Sequence, residues 1–219
     1  QQNLWNTDKG AGWAHYTNTT GAYQNWAPNG LTAFNSNGFS IAGGDGDHNL
    51  SGRNYVSWTF RKAAKFFDIV TWTGTGTSSR SMTHSLGVTP GMIIVKKTNA
   101  VGSWYVYHRS IGNTSAIYLE QTAASDAHAS YWNNTSPTAT TFNLGSNLDA
   151  NGDTYVAYLF AHDTATDGLI QCGTFTTNAG GDLTTLVNLG WEPQFILWKD
   201  ISFTDPWEIA DTARGMGVF

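Results

Sequence analysis

Cysteine is almost missing from this chain: Cys172 is the only one in 219 residues. An intrachain disulfide is therefore excluded, and so is a cysteine-based zinc centre. Charge is scarce as well, with 12% of residues charged and a net charge of −5. That balance offers no electrostatic attraction to nucleic acid or to an anionic membrane, and neither is expected as a partner. Glutamate is reduced to Glu120, Glu192 and Glu208. A glycosidase needs two carboxyls flanking the scissile bond, and none of the three lies in an alternating acidic strand motif. Most aspartates adjoin Gly or Asn in turn-like stretches, and His84, His108 and His128 come without a nucleophile-elbow sequence. The chain is read as non-enzymatic, with no catalytic residue. No apolar run approaches the roughly 18 residues of a membrane span, and the first residues lack a charged-then-apolar leader pattern. The chain reads as soluble as it stands, or as a piece of something longer.

What is present is aromatic and small. Aromatics make up 14% of the residues, among abundant Gly, Thr and Asn. This composition can fill a core and favours strands over helices. The expected class is all-β: an antiparallel β-sandwich built from two homologous repeat units in permuted order, with one large lectin-like jelly-roll sandwich as the alternative. Residues 55–60 (Tyr-Val-Ser-Trp-Thr-Phe) alternate cleanly and predict a strand. Residues 67–73, 92–97, 104–108 and 117–119 read the same way. Residues 31–41 read as a strand pair or a bent strand, and residues 1–30 show little periodicity.

The repeat rests on spacing. Leu86-Gly87-Val88-Thr89-Pro90-Gly91 feeds an apolar run that ends in Lys96, and Leu189-Gly190-Trp191-Glu192-Pro193-Gln194 feeds one that ends in Lys199, 103 positions on. Thr71-Trp72-Thr73 and Thr174-Phe175-Thr176 keep that displacement, as do Trp104 and Trp207. Residues 155–160 match 55–60, and 140–144 match 32–36, at slightly different displacements, as loops of unequal length require. A complete unit then spans 66–163. The flanks, 168–219 and 1–64, would form a second unit in permuted order. They pair within one molecule, or complete a neighbouring copy, or belong to a longer array.

The motifs Thr71–Gly74, Leu86–Lys97, Trp104–Ser110 and Asn151–Phe160 resemble those of a repeated β-rich domain in tail-fibre-like and other virion proteins of marine tailed phages, of the cyanophage type. The resemblance covers nearly the whole chain and is weakest over 1–30. It implies a β-sandwich module on the surface of a virion, a structural or adhesion protein of a fibre or particle with a role in host attachment. The implied partners are other copies of itself and other virion proteins. It implies no chemistry.

Two sets of residues are candidates for ligand contact. Trp5, Trp13, Tyr16, Tyr23 and Trp26 lie among Asn, Thr and Gly, and Tyr131, Trp132 and Asn133 hold the corresponding place in the other unit. An aromatic face beside amides is what a lectin-like site for host surface glycan uses, and the same residues serve equally well to pack a sandwich or an interface. Asp45, Asp47 and Asn49, and Asp149, Asn151 and Asp153, space oxygen ligands two apart as calcium loops do. Asp-Gly and Asn-Gly are also hairpin chemistry in their own right. No cofactor is expected, with calcium the one metal these spacings would suit.

Overall fold

The computed structural model describes residues 2–43 and 48–215, apart from the Arg214 side chain. The chain is all-β, and every strand pairing is antiparallel. In chain order the strands are β1 (Asn3–Leu4), β2 (Trp13–Tyr16), β3 (Gln24–Asn25), β4 (Gly30–Asn35), β5 (Gly38–Ala42), β6 (Phe67–Thr73), β7 (Arg80–Thr83) and β8 (Pro90–Lys97). They continue with β9 (Trp104–His108), β10 (Ser115–Tyr118), β11 (Asp126–Ala127), β12 (Thr141–Leu144), β13 (Thr154–Ala161), β14 (Phe195–Lys199) and β15 (Trp207–Asp211).

The centre is a six-stranded sheet in the order β11-β10-β9-β8-β13-β6. Alternation along its inner strands decides the layering, because successive side chains point to opposite faces. On one face Ile93, Val95, Tyr155, Ala157 and Leu159 meet the β7–β12 pair and the loop residues Leu86, Tyr131, Trp132 and Leu148. This is the closed sandwich. On the other face Ile94, Trp104, Val106, Ile117, Val156 and Tyr158 meet Leu4 from the first strand and Ile201 and Trp207 from the last hairpin. Both faces of the sheet are therefore covered. Burial of each large apolar side chain here stabilises the fold by about 1.5–3 kcal/mol.

The two Leu-Gly turns adopt one conformation. Gly87 has φ +71° and Gly190 φ +80°, a left-handed backbone that glycine reaches without strain. The strands that follow share a register. β8 and β9 align Met92 with His108, Ile94 with Val106 and Lys96 with Trp104. β14 and β15 align Phe195 with Asp211, Leu197 with Ile209 and Lys199 with Trp207, each 103 positions on. The N-terminal strands behave alike. β2–β3 pairs Trp13 with Asn25 as β10–β11 pairs Ser115 with Ala127, 102 positions on, and β1–β2 pairs Leu4 with His15 as β9–β10 pairs Val106 with Ile117.

Three segments differ from the sequence expectation. Residues 55–60 belong to no named strand, although their alternation predicts one; alternation reports which face is apolar and does not by itself supply a ladder. Residues 174–176, which match the centre of β6, also lie outside any named strand, beside the isolated bridge Thr177–Leu183. Residues 1–30, aperiodic in sequence, contain β1, β2 and β3. Strands of two to four residues are too short to establish a period.

Candidate functional site

Lys96 ends the buried run of β8 on the second face of the sheet, where alternation calls for an apolar residue. Its side chain is fully buried, and its ammonium donates to the carbonyls of Thr20 (3.1 Å), Lys97 (2.9 Å) and Gly102 (2.9 Å). Three donors meet three acceptors, the full capacity of an ammonium. Burial, with a smaller contribution from neighbouring Lys97, pushes its pKa down to about 8 against the pull of Glu120. Around it the backbone of residues 19–23 lies against the β8–β9 hairpin. The Trp104 indole donates to Thr19 O (3.0 Å). The Gly102 amide donates to Thr20 O (2.9 Å), and the Tyr23 amide to Thr98 O (3.0 Å).

The same seam occurs a second time. Lys199, 103 positions after Lys96, donates to Thr122 O (3.0 Å) and Asp200 O (2.9 Å). The Trp207 indole donates to Tyr118 O (2.8 Å). The Asp205 amide donates to Thr122 O (2.8 Å) and the Ser125 amide to Ile201 O (3.1 Å). Each β8-type hairpin is thus latched onto the end of a β10-type strand or the segment that follows it, through one lysine, one tryptophan and two backbone bonds.

The candidate glycan residues lie in or near these seams. Tyr23 stacks on His15 with ring centroids 3.6 Å apart, and its hydroxyl accepts from Asn6 Nδ2 (2.6 Å), which also reaches the Tyr158 hydroxyl (2.7 Å). His15 is fully buried, edge-on to Trp104, and neither ring nitrogen has a hydrogen-bond partner. Burial, then the positive charges of Lys96 and Lys9, pushes its pKa down to about 3. Trp5 and Trp26 both pack on the His48 ring, and Tyr16 meets Trp26 edge to face. Trp13 is half-buried, with the Lys9 ammonium 4.6 Å from its ring centroid. In the central unit Trp132 is buried, donates to Ser115 O (2.9 Å) and meets Tyr107 edge to face. Tyr131 is buried too, its hydroxyl shared between Asp126 and Tyr118. Burial first, and then these hydrogen bonds, raise the Tyr131 pKa far above its ordinary value. Asn133 takes a left-handed φ of 51° and donates to Ser79 Oγ (2.8 Å). The structure therefore divides this set into two groups, and most of their ring surface is turned inward.

The candidate calcium residues are placed as follows. Asp149 is buried, and its carboxylate accepts from Thr75 Oγ1 (2.7 Å), Thr77 Oγ1 (2.9 Å) and Arg80 (3.0 Å). Burial alone would raise its pKa; the hydrogen bonds outweigh burial and hold it below the ordinary value. Asp153 pairs with Lys97 at 2.6 Å, and Asn151 is exposed. The chain's own cations thus face both carboxylates of this loop. Asn49 follows the buried His48; Asp45 and Asp47 lie outside the described residues. Among the described residues no group of three His, Cys, Asp or Glu side chains is placed to hold a metal ion.

Sequence reasoning missed Lys96 and Lys199 as a pair of latches. Their equal displacement was visible, but a lysine at the end of a strand reads as a solvated charge until the covering segment is known. A cleft of about 300 Å³, lined among others by Lys97, Tyr105, Ser146, Asn147 and Tyr155, was likewise missed. Its residues come from three separate parts of the chain.

A family model described as "Domain of unknown function (DUF7483)" matches residues 1–217. No curated protein and no solved structure matches.

Proposed function

The chain belongs to the DUF7483 family, and on that premise we propose that it is a non-enzymatic structural and adhesion module of a virion, a β unit of a phage fibre or particle surface involved in host attachment. The observation that carries this reading is the doubled seam. The same lysine, tryptophan and backbone bonds dock a covering segment onto β8–β9 and again onto β14–β15. A contact used twice in one chain suits a part whose work is to join β units. The inward packing of Tyr23, Tyr131 and Trp132 points the same way, since these rings build the joints. The sequence resemblance to virion proteins supplies the particle.

The test is immunogold labelling of purified particles with antibody to this chain, paired with mass spectrometry of the particle proteins. Regular labelling of one particle feature is expected. Particles that lack the chain would refute the assignment.

A second reading, a lectin-like module for host surface glycan, is favoured by the half-open cleft. There Tyr105, Tyr155, Asn147 and Ser146 line a volume of about 300 Å³, the combination of aromatic residues and a few polar ones that ligand sites use. A glycan array on the purified chain decides between recognition and scaffolding.

A further inference from the structure

Strand β11 carries a group of oxygens that the seams do not use. Asp126 Oδ2 accepts from the Tyr118 hydroxyl (2.9 Å) and, in a shorter bond, from the Tyr131 hydroxyl. The two hydroxyls are themselves 2.7 Å apart. Three oxygens thus form a closed triangle. The hydrogen bonds, first from Tyr131 and then from Tyr118, hold the Asp126 carboxyl below its ordinary pKa, so it is ionised at neutral pH. An ionised carboxylate only accepts, and each phenol brings one proton. Two protons therefore serve three contacts. Whichever way the hydroxyls turn, one pair of oxygens is left without a proton of its own.

The repeated strands do not require this arrangement. Register places Tyr16 and Gln24 102 positions before Tyr118 and Asp126. The bond from the Asn29 amide to Trp26 O repeats that from the Tyr131 amide to His128 O, so Asn29 matches Tyr131. The first copy therefore keeps the strands with neither the carboxylate nor the second phenol. In the central copy Tyr105 packs on both phenols, its ring centroid 5.3 Å from that of Tyr131 and 5.7 Å from that of Tyr118. The His128 ring lies 5.9 Å from Tyr131, and its Nδ1 is engaged by Ser130. Asp126 is exposed on the edge strand of the central sheet, so its carboxylate can be reached from solvent.

We propose that Tyr118, Asp126 and Tyr131 bind a hard trivalent metal ion of the ferric class, as three oxygen ligands on one face of an octahedron. Ligands in neighbouring octahedral positions about 2.0 Å from a metal are about 2.8 Å apart, which is the spacing of this triangle. One carboxylate and two phenolates also carry three negative charges, which offset the charge of the ion. Burial raises the pKa of both tyrosines, and a ligand binds only once it has lost its proton. The ion that displaces these protons must therefore be a strong Lewis acid. Calcium and magnesium take carboxylate, carbonyl and water oxygens instead. As the ion binds, the two phenolic protons leave to solvent, and the contact that lacked a proton is bridged by the metal. The inference goes beyond the virion reading and does not rest on it.

The experiment titrates the full chain at neutral pH with ferric nitrilotriacetate and follows the visible absorption, where iron-bound tyrosinate gives a charge-transfer band. The double variant Tyr118→Phe/Tyr131→Phe and the single variant Asp126→Asn run in parallel, with circular dichroism to establish that each is folded. Asp126 is exposed, so its replacement leaves the core intact even where loss of the two hydroxyls does not. The expected result is a band that saturates at one iron per chain and is lost in the double variant. Asp126→Asn should need about tenfold more iron or above to reach the same band. A wild-type chain that gives no band overturns the proposal. A band that survives in the folded double variant, or an Asp126→Asn chain that titrates like the wild type, overturns it as well, because the iron then sits elsewhere.

Discussion

His15 makes the first seam acid-labile, by an amount that follows from its burial. The ring is fully enclosed by Tyr23, Trp104 and the seam, faces the positive charges of Lys96 and Lys9, and has no hydrogen-bond partner to stabilise its charged form. Its folded pKa is pushed down to about 3, against about 6.5 for a free histidine. Between those values the unfolded chain binds a proton that the folded chain refuses. Stability is therefore full above about pH 6.5 and is lost as pH falls toward about 3. On going from about pH 7 to about pH 5 the cost from this one group is about 2 kcal/mol. The position 102 residues on is Ile117, so His15→Ile is the natural replacement. It keeps an apolar side chain in the seam and removes the titration. Urea unfolding of both proteins at the two pH values gives the answer. The wild type should lose about 2 kcal/mol more than His15→Ile on acidification, while the other depressed histidines, His84, His108 and His162, act on both proteins alike. An equal loss in the two proteins would show that the ring finds a partner or water in the folded state, and the reasoning would fail.

Lys96→Met leaves the carbonyls of Thr20, Lys97 and Gly102 without their shared donor, and a loss of about 2 kcal/mol is expected in urea unfolding. Lys199→Met should cost less, because that ammonium meets two carbonyls in a more exposed seam; equal losses would argue against burial as the cause. Trp132→Ala removes a buried indole and its bond to Ser115 O, and a loss of about 3–5 kcal/mol is expected in thermal or urea unfolding. A neutral result would return this residue to the list of surface contacts for glycan.

Several elements were legible in the sequence for plain physical reasons. The alternation around Ile93 and Val95 and around Tyr155 and Leu159 predicts strands, and these strands are paired on both edges, so period and partner agree. Tyr55, Trp58 and Phe60 carry the same period, yet residues 55–60 belong to no named strand. Periodicity reports which face a residue wants to bury, whereas pairing depends on a second segment that no local window contains. The aromatics illustrate a different gap. Trp132 and Tyr131 were equally suited to stacking on a sugar or on a neighbour, and their contacts with Ser115 O, Tyr107 and Asp126 lie in segments that no local window contains. For Asp149 the spacing of oxygens suggested calcium, and the folded chain brings Arg80, Thr75 and Thr77 to the carboxylate from a segment about seventy residues earlier.

The seams have one more property, which concerns how such a chain can change. On the side of the covering segment the lysine and the tryptophan bond only main-chain atoms, the carbonyls of Thr19, Thr20, Tyr118 and Thr122, and the amides of Tyr23 and Ser125 add two more main-chain bonds; one side chain, the Ser125 hydroxyl, also donates to Ile201 O (3.1 Å). The lysine and the tryptophan grip a backbone shape and are blind to the side chains it carries. Substitutions along 19–23 and 118–125 that preserve this shape leave the latch intact. Units with divergent covering segments can then be exchanged, duplicated or reordered and still dock. A joint of this kind lets the outer surface of a module vary freely while the connection between modules stays constant.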